Sequence, residues 1–229
     1  METIEIGVNE RVCRVYYQPR PRFLLVQPAD SHDLADMERE IGEIQSRTSA
    51  PFLLTAFPVK NWNADLSPWP APAVFGNQAF SGCAEKTLDE ILHALLPALR
   101  ERFPWTENVP TILGGYSLAG LFALWAGHTA PNWDGIAAAS PSVWFPGFSA
   151  FAAEHPVQAR AVYLSLGDRE EKTRNPVMAQ VGGCIRALSN LYEKTPCLKT
   201  MLEWNEGNHF RDAGARTGKA FAWIINSIM

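Results

Sequence analysis

Apolar and polar positions alternate along residues 2–7 and 11–18, which predicts two short strands with a hairpin turn at Asn9-Glu10. Residues 22–28 are instead a nearly continuous apolar run, as expected of a strand buried on both faces. Asp30-Ser31-His32-Asp33 then supplies helix-start residues, and Leu34, Met37, Ile41 and Ile44 follow at helical spacing. A second buried strand is predicted over 51–59. Leu88, Ile91, Leu95 and Leu99 mark one face of a helix over 86–102. Beyond it, strands at 109–115, 135–140, 160–167 and 197–204 alternate with helices at 118–128, near 176–193 and near 213–227.

This alternation predicts an α/β fold with a mostly parallel central sheet and helices on both faces. The 229 residues are enough for one sizeable core, and no linker-like stretch divides them. We therefore read residues 1–229 as one domain without a separate lid. In such sheets ligands bind outside the carboxyl ends of the strands, so the strand exits are where chemistry is sought.

Composition narrows the function classes. The formal net charge is −4, with both signs scattered and no basic stripe, which argues against nucleic acid as a partner. The N-terminal segment lacks a signal-like apolar core, and no stretch reaches the roughly 18 apolar residues of a membrane span. A soluble, cytoplasmic protein without a membrane partner is the expectation. Cys13, Cys83, Cys184 and Cys197 are widely spaced and read as free thiols. No Cys or His cluster has metal-ligand spacing, so neither a metal nor another cofactor is expected.

One strand exit reads TILGGYSLAG, residues 111–120. Ser117 stands between a buried strand and a helix of small residues, as a nucleophile elbow of an α/β-hydrolase fold requires. The turn is tight, so the positions two before and two after the serine must be small; Gly115 and Ala119 satisfy this. The competing reading of Ser117 is a plain helix cap.

A serine needs a base to take its proton, and in this fold the base comes last in chain order, after the acid. His209 follows the last predicted strand, in NEGNHFRD. The other four histidines, His32, His93, His128 and His155, lie at helix ends or on a helix face. The preceding strand exit, YLSLGDREEKTRN, offers Asp168, Glu170 and Glu171. Glu170, three positions after Gly167, is the favoured acid, with Asp168 and Glu171 as alternatives. An oxyanion hole needs two backbone N–H donors. Leu118 is the first expected donor. Pro28 has no N–H, so the second is expected from Ala29 or Asp30, with Ala29 preferred.

These residues carry a family likeness. Gly115–Gly120, the Ser140-Pro-Ser-Val-Trp144 strand exit and the Gly207-Asn-His209 loop resemble the motifs of the putative esterase family of α/β hydrolases. That family includes feruloyl esterases, S-formylglutathione hydrolase, mycolyltransferases and enterobactin esterases. The stretch 65–72, DLSPWPAP, is similar to a loop in a bacterial subgroup. The resemblance runs from about residue 22 to the end. It implies Ser117 as nucleophile, His209 as base and either Asp or Glu as acid. Ala119, where Gly is common, is the departure.

On the substrate side, residues 57–80 form a Pro- and Trp-bearing stretch at the same sheet edge. Trp62 and Trp144 are the expected substrate-binding aromatics; Trp69 is a weaker choice, and all three could instead pin a loop to the core. The expectation is a serine carboxylic ester hydrolase acting on a modest soluble small-molecule ester through an acyl-enzyme. A thioesterase or acyltransferase with the same residues is the alternative, and an inactive binding protein of this fold the more distant one.

Overall fold

The structure is a computed structural model and describes residues 1–74 and 76–229. The N-terminal hairpin pairs β1 (Glu2–Val8) with β2 (Arg11–Tyr17), turning at Asn9 with a left-handed φ of 53°. Then come β3 (Phe23–Ala29), α1 (Ser31–Arg47), β4 (Phe52–Pro58) and the short helix α2 (Trp62–Asp65). Two residues each of β5 (Pro70–Ala71) and β6 (Phe80–Ser81) form a small separate ribbon. Helices α3 (Ala84–Glu90) and α4 (Leu96–Arg102) flank a π-helical turn, Ile91–Leu95. The sequence predicts one continuous helix here. Pro97 has no N–H to give the preceding turn and crowds its carbonyl, which accounts for the widened turn just before it.

The second half alternates β7 (Thr111–Tyr116), α5 (Ser117–Thr129), β8 (Gly135–Ala139), α6 (Phe148–Glu154), β9 (Ala161–Gly167), α7 (Val181–Glu193), β10 (Lys199–Asn205) and α8 (Ala213–Ile228). Helices α2 and α6 and the β5–β6 ribbon had no counterpart in the sequence reading. The main sheet has the order β1-β2-β4-β3-β7-β8-β9-β10, and β2 pairs antiparallel with both its neighbours while the pairs from β4 to β10 are parallel.

The strands sort their side chains by period two. Leu24 and Val26 of β3, and Val162, Leu164 and Leu166 of β9, join the core under α3, α4, α5 and α7. Phe23 and Leu25 of β3, and Ala161 and Tyr163 of β9, join the core under α1 and α8. Strand order reverses between β3 and β7, whose pairing is confined to Leu24–Val26 against Thr111–Leu113. Beyond that register their carboxyl ends part, which opens a crevice at the switch point.

Candidate active site

Ser117 is the first residue of α5 and has φ 56°, a left-handed conformation that a side-chain-bearing residue adopts at a cost. The packing around it holds the strain. A Cβ on Gly115 would lie 2.6 Å from the Ala119 methyl, and one on Gly120 3.0 Å from the Gly115 carbonyl. The elbow therefore admits one methyl between positions 115 and 119, and Ala119 supplies it. The Ser142 N–H donates to the Ser117 carbonyl at 3.0 Å and closes the turn from the β8 exit.

His209 lies in the loop between β10 and α8, and its ring spans the two partners expected of it. Nε2 is 3.0 Å from Ser117 Oγ, and Nδ1 is 2.6 Å from Glu170 Oε2. The other carboxylates of the β9 exit are engaged elsewhere. Asp168 accepts from the Gly207 N–H at 2.7 Å, and Glu171 forms a bidentate pair with Arg186 at 3.0 and 3.1 Å. Glu170 is the one of the three that the fold buries.

The second oxygen of Glu170 is crowded with donors. Oε1 accepts from the Gly167 N–H and the Ser140 hydroxyl, each at 2.7 Å, and from Arg216 Nη1 at 2.9 Å. Burial opposes ionisation of this carboxyl. The hydrogen bond and charge of His209, with the Ser140 and Gly167 donors, outweigh burial and hold it below its ordinary value. Gly167 has to be glycine, since a Cβ there would stand 2.4 Å from the Gly207 carbonyl.

Arg216 is absent from the sequence reading. It is 2% exposed and lies on α8. Nη1 also reaches the Tyr116 hydroxyl at 3.2 Å and the Ser140 hydroxyl at 3.1 Å, while Nη2 donates to the carbonyls of Glu206 and Asn208 at 3.0 and 3.1 Å. One guanidinium thus ties the acid to the loop that carries His209. Tyr116 completes the tie by donating to the His209 carbonyl at 2.7 Å. Burial, then the Glu170 charge, push the Tyr116 hydroxyl up to about 12, so it remains a donor. A signal for Arg216 was present: Ala220, Ile224 and Ile228 form a buried i, i+4 stripe whose next member is Arg216. A charge on such a stripe requires buried partners. Ser140, also missed as a functional position, shares the left-handed conformation, with φ 43°.

Leu118 is the second residue of α5, where a backbone N–H has no partner within its own helix. Ala29 needs correction. Its carbonyl accepts from the Val59 N–H at 3.0 Å, so its peptide edge faces β4 and away from Ser117. In an extended strand the N–H leaves on the same edge as the carbonyl. The N–H directed to the other side belongs to Asp30, and it donates to Asp33 Oδ2 at 3.0 Å in the capping box of α1.

Trp62, half-buried at the start of α2, and Trp144, buried after β8, meet around Ser117 in a cavity of about 390 Å³. Leu118, Phe80 and Phe210 add to its lining. Trp69 instead donates to the Pro146 carbonyl at 2.8 Å and packs on Phe145 and Phe151, so it fastens its loop. Phe210, which the sequence reading passed over, is 89% exposed beside His209. A second cavity of about 600 Å³ shares Trp62, Ser117, His209 and Phe210 with the first and runs along the start of α1. Among the described residues, no group of three or more His, Cys, Asp or Glu side chains could hold a metal ion, and no helix is long and apolar enough to cross a membrane.

A family model described as "Putative esterase" matches residues 32–193. The chain belongs to that family. This esterase is 39% identical over 82 residues to the siderophore triacetylfusarinine C esterase of Aspergillus fumigatus, a match that covers 35% of the chain and 27% of the relative. The fold is that of solved hydrolases. The siderophore hydrolase EstA from Aspergillus nidulans superposes with a TM-score of 0.75 at 20% identity, over 99% of this chain and 94% of that one. An IroE-like serine hydrolase from Shewanella oneidensis superposes with a TM-score of 0.78 at 15% identity, over 98% and 79%. These likenesses agree with the α/β-hydrolase architecture expected from the strand and helix order.

Proposed function

We propose that this esterase hydrolyses a soluble carboxylic ester through an acyl-enzyme on Ser117. The observation that carries the reading is the position of His209, 3.0 Å from Ser117 Oγ and 2.6 Å from the Glu170 carboxylate. In this mechanism His209 Nε2 takes the Ser117 proton as Oγ attacks the ester carbonyl. Glu170 holds the ring in orientation and stabilises the imidazolium. The Leu118 N–H receives the developing oxyanion, and the Asp30 N–H is the second donor, released from Asp33. The imidazolium then protonates the leaving alcohol. Water, deprotonated by His209, splits the acyl-enzyme and restores Ser117.

The apolar cavity lined by Trp62, Trp144 and Phe210 supports a bulky acyl or aryl group beside the reacting carbonyl. The two siderophore hydrolases named above support an ester within a multifunctional small molecule. The chain spans about a quarter of the curated relative it matches, so that substrate class is part of the proposal.

The test is active-site labelling with a fluorophosphonate, together with hydrolysis of p-nitrophenyl esters of increasing acyl length. Wild type is expected to be labelled and to turn over, and Ser117→Ala to do neither. Absence of both in wild type would sink the proposal.

A further inference from the structure

The cavity along α1 is strongly acidic. Asp30, Asp33, Asp36, Glu40 and Asp212 line it with Arg39, and Ser117 and His209 form its inner wall. Asp212 holds Arg39 in an ion pair. Among the described residues the other four carboxyls form no ion pair.

Most of these carboxyls have a structural reason to be there. Asp30 and Asp33 form the capping box of α1, and Asp36 accepts from the Gly214 N–H at 2.8 Å. Glu40 does not. It is 2% exposed, its one hydrogen bond is a 3.2 Å contact from Gln27 Nε2, and its Oε1 has no donor. The neighbouring Gln27, 1% exposed, also leaves its Oε1 without a donor. A buried acceptor without a partner is costly unless a donor reaches it, and of these two only Glu40 lines the cavity. A carboxyl so placed resists ionisation until a cation arrives, and burial accordingly raises Glu40 well above its ordinary value. Burial also pushes Asp33 up to about 6. The cavity lies at the switch point between β3 and β7, where this architecture places ligands.

We propose that this cavity is a subsite for a primary ammonium group on the ester substrate, received by Glu40 with Asp33 and Asp36. A primary ammonium brings N–H donors and a charge, which match the unpaired Glu40 Oε1 and the Asp33 and Asp36 carboxyls beside it in the cavity. The inference rests on ester hydrolysis at Ser117 and names a feature of its substrate.

The test compares matched esters: 6-aminohexyl acetate with heptyl acetate, and ethyl 6-aminohexanoate with ethyl heptanoate. In wild type, kcat/KM for the ammonium member is expected to exceed that of its neutral partner at least tenfold in one pair. In Glu40→Gln and Asp36→Asn that ratio is expected to fall at least fivefold. The ratio is taken within one preparation, so partial misfolding of a variant does not move it. A wild-type ratio near one in both pairs, or an unchanged ratio in both variants, overturns the subsite and leaves ester hydrolysis standing. Cleavage of neither member, with no fluorophosphonate labelling, overturns ester hydrolysis instead. The subsite is then judged by calorimetry with n-hexylammonium, where binding that weakens in Glu40→Gln sustains it and no binding overturns it.

Discussion

Arg216 and Glu170 meet at 2.9 Å in the interior, and each is less than a tenth exposed. Removing one member of a buried pair strands the other charge, at a cost of about 3–5 kcal/mol. Arg216→Met should therefore unfold at markedly lower urea concentration. Arg216→Lys keeps the charge but loses the fork that also binds the Glu206 and Asn208 carbonyls. It should keep more stability than Arg216→Met while slowing fluorophosphonate labelling, because the His209 loop loses a tether. Equal labelling rates in wild type and Arg216→Lys would count against this tie.

Glu170→Gln should lower kcat by about 10²–10⁴-fold, since an amide cannot stabilise the imidazolium. Asp168→Asn loses a charged acceptor for one backbone N–H and should cost about 1 kcal/mol with activity within a few fold of wild type. Steady-state kinetics on one p-nitrophenyl ester, with urea melts, separates the two. Near-wild-type turnover in Glu170→Gln would remove it from the mechanism.

Gly115→Ala should destabilise the elbow and suppress labelling of Ser117, because the new methyl meets that of Ala119 at 2.6 Å. Adding Ala119→Gly to it should recover part of both losses. A double variant no better than Gly115→Ala alone would show that the clash lies elsewhere.

His128 makes acid destabilising. Burial lowers it to about 4 from its ordinary 6.5, against the opposing hydrogen bond to the His155 carbonyl; Nε2 lies 2.8 Å from the Tyr192 hydroxyl. Above pH 6.5 the ring is neutral folded or unfolded. As pH falls from 6.5 towards 4, the unfolded chain takes up a proton that the folded chain refuses. Stability is lost across that window, by roughly 3 kcal/mol in total. The fall in unfolding free energy between pH 7 and 4.5 should be smaller in His128→Gln. The raised Asp33 works in the opposite sense, stabilising as pH falls through 6, so the comparison between variants is the measurement that isolates His128.

Phe210 is 89% exposed beside His209. It contributes little to the core, so Phe210→Ala should leave the urea midpoint within about 0.5 kcal/mol of wild type. If it covers a bound acyl or aryl group, KM for long-chain or aryl esters should rise while that for acetate stays level. A uniform change across the ester panel would contradict this.

The sequence by itself determined the order of the main-sheet strands and of the longer helices between them, because burial is written locally as a period of two or near 3.6. It also pointed to a tight turn at Ser117 and to His209 as its candidate base, since a small-residue turn after a strand and a histidine after the last strand are local features. Glu170 among three neighbouring acids was favoured there by spacing from Gly167, and the tertiary structure set its partners. It turned Glu170 inward and gave Asp168 and Glu171 to Gly207 and Arg186. The structure also turned the Ala29 peptide towards β4, which follows from strand pairing with a segment some 30 residues away. Arg216 reaches Glu170 across 46 residues, and the α1 carboxyls reach Ser117 only where β3 and β7 part. Periodicity reports which face of an element is buried. It carries no record of which distant side chain waits there, so the partners of the buried Arg216 and the acidic cavity came from the fold alone.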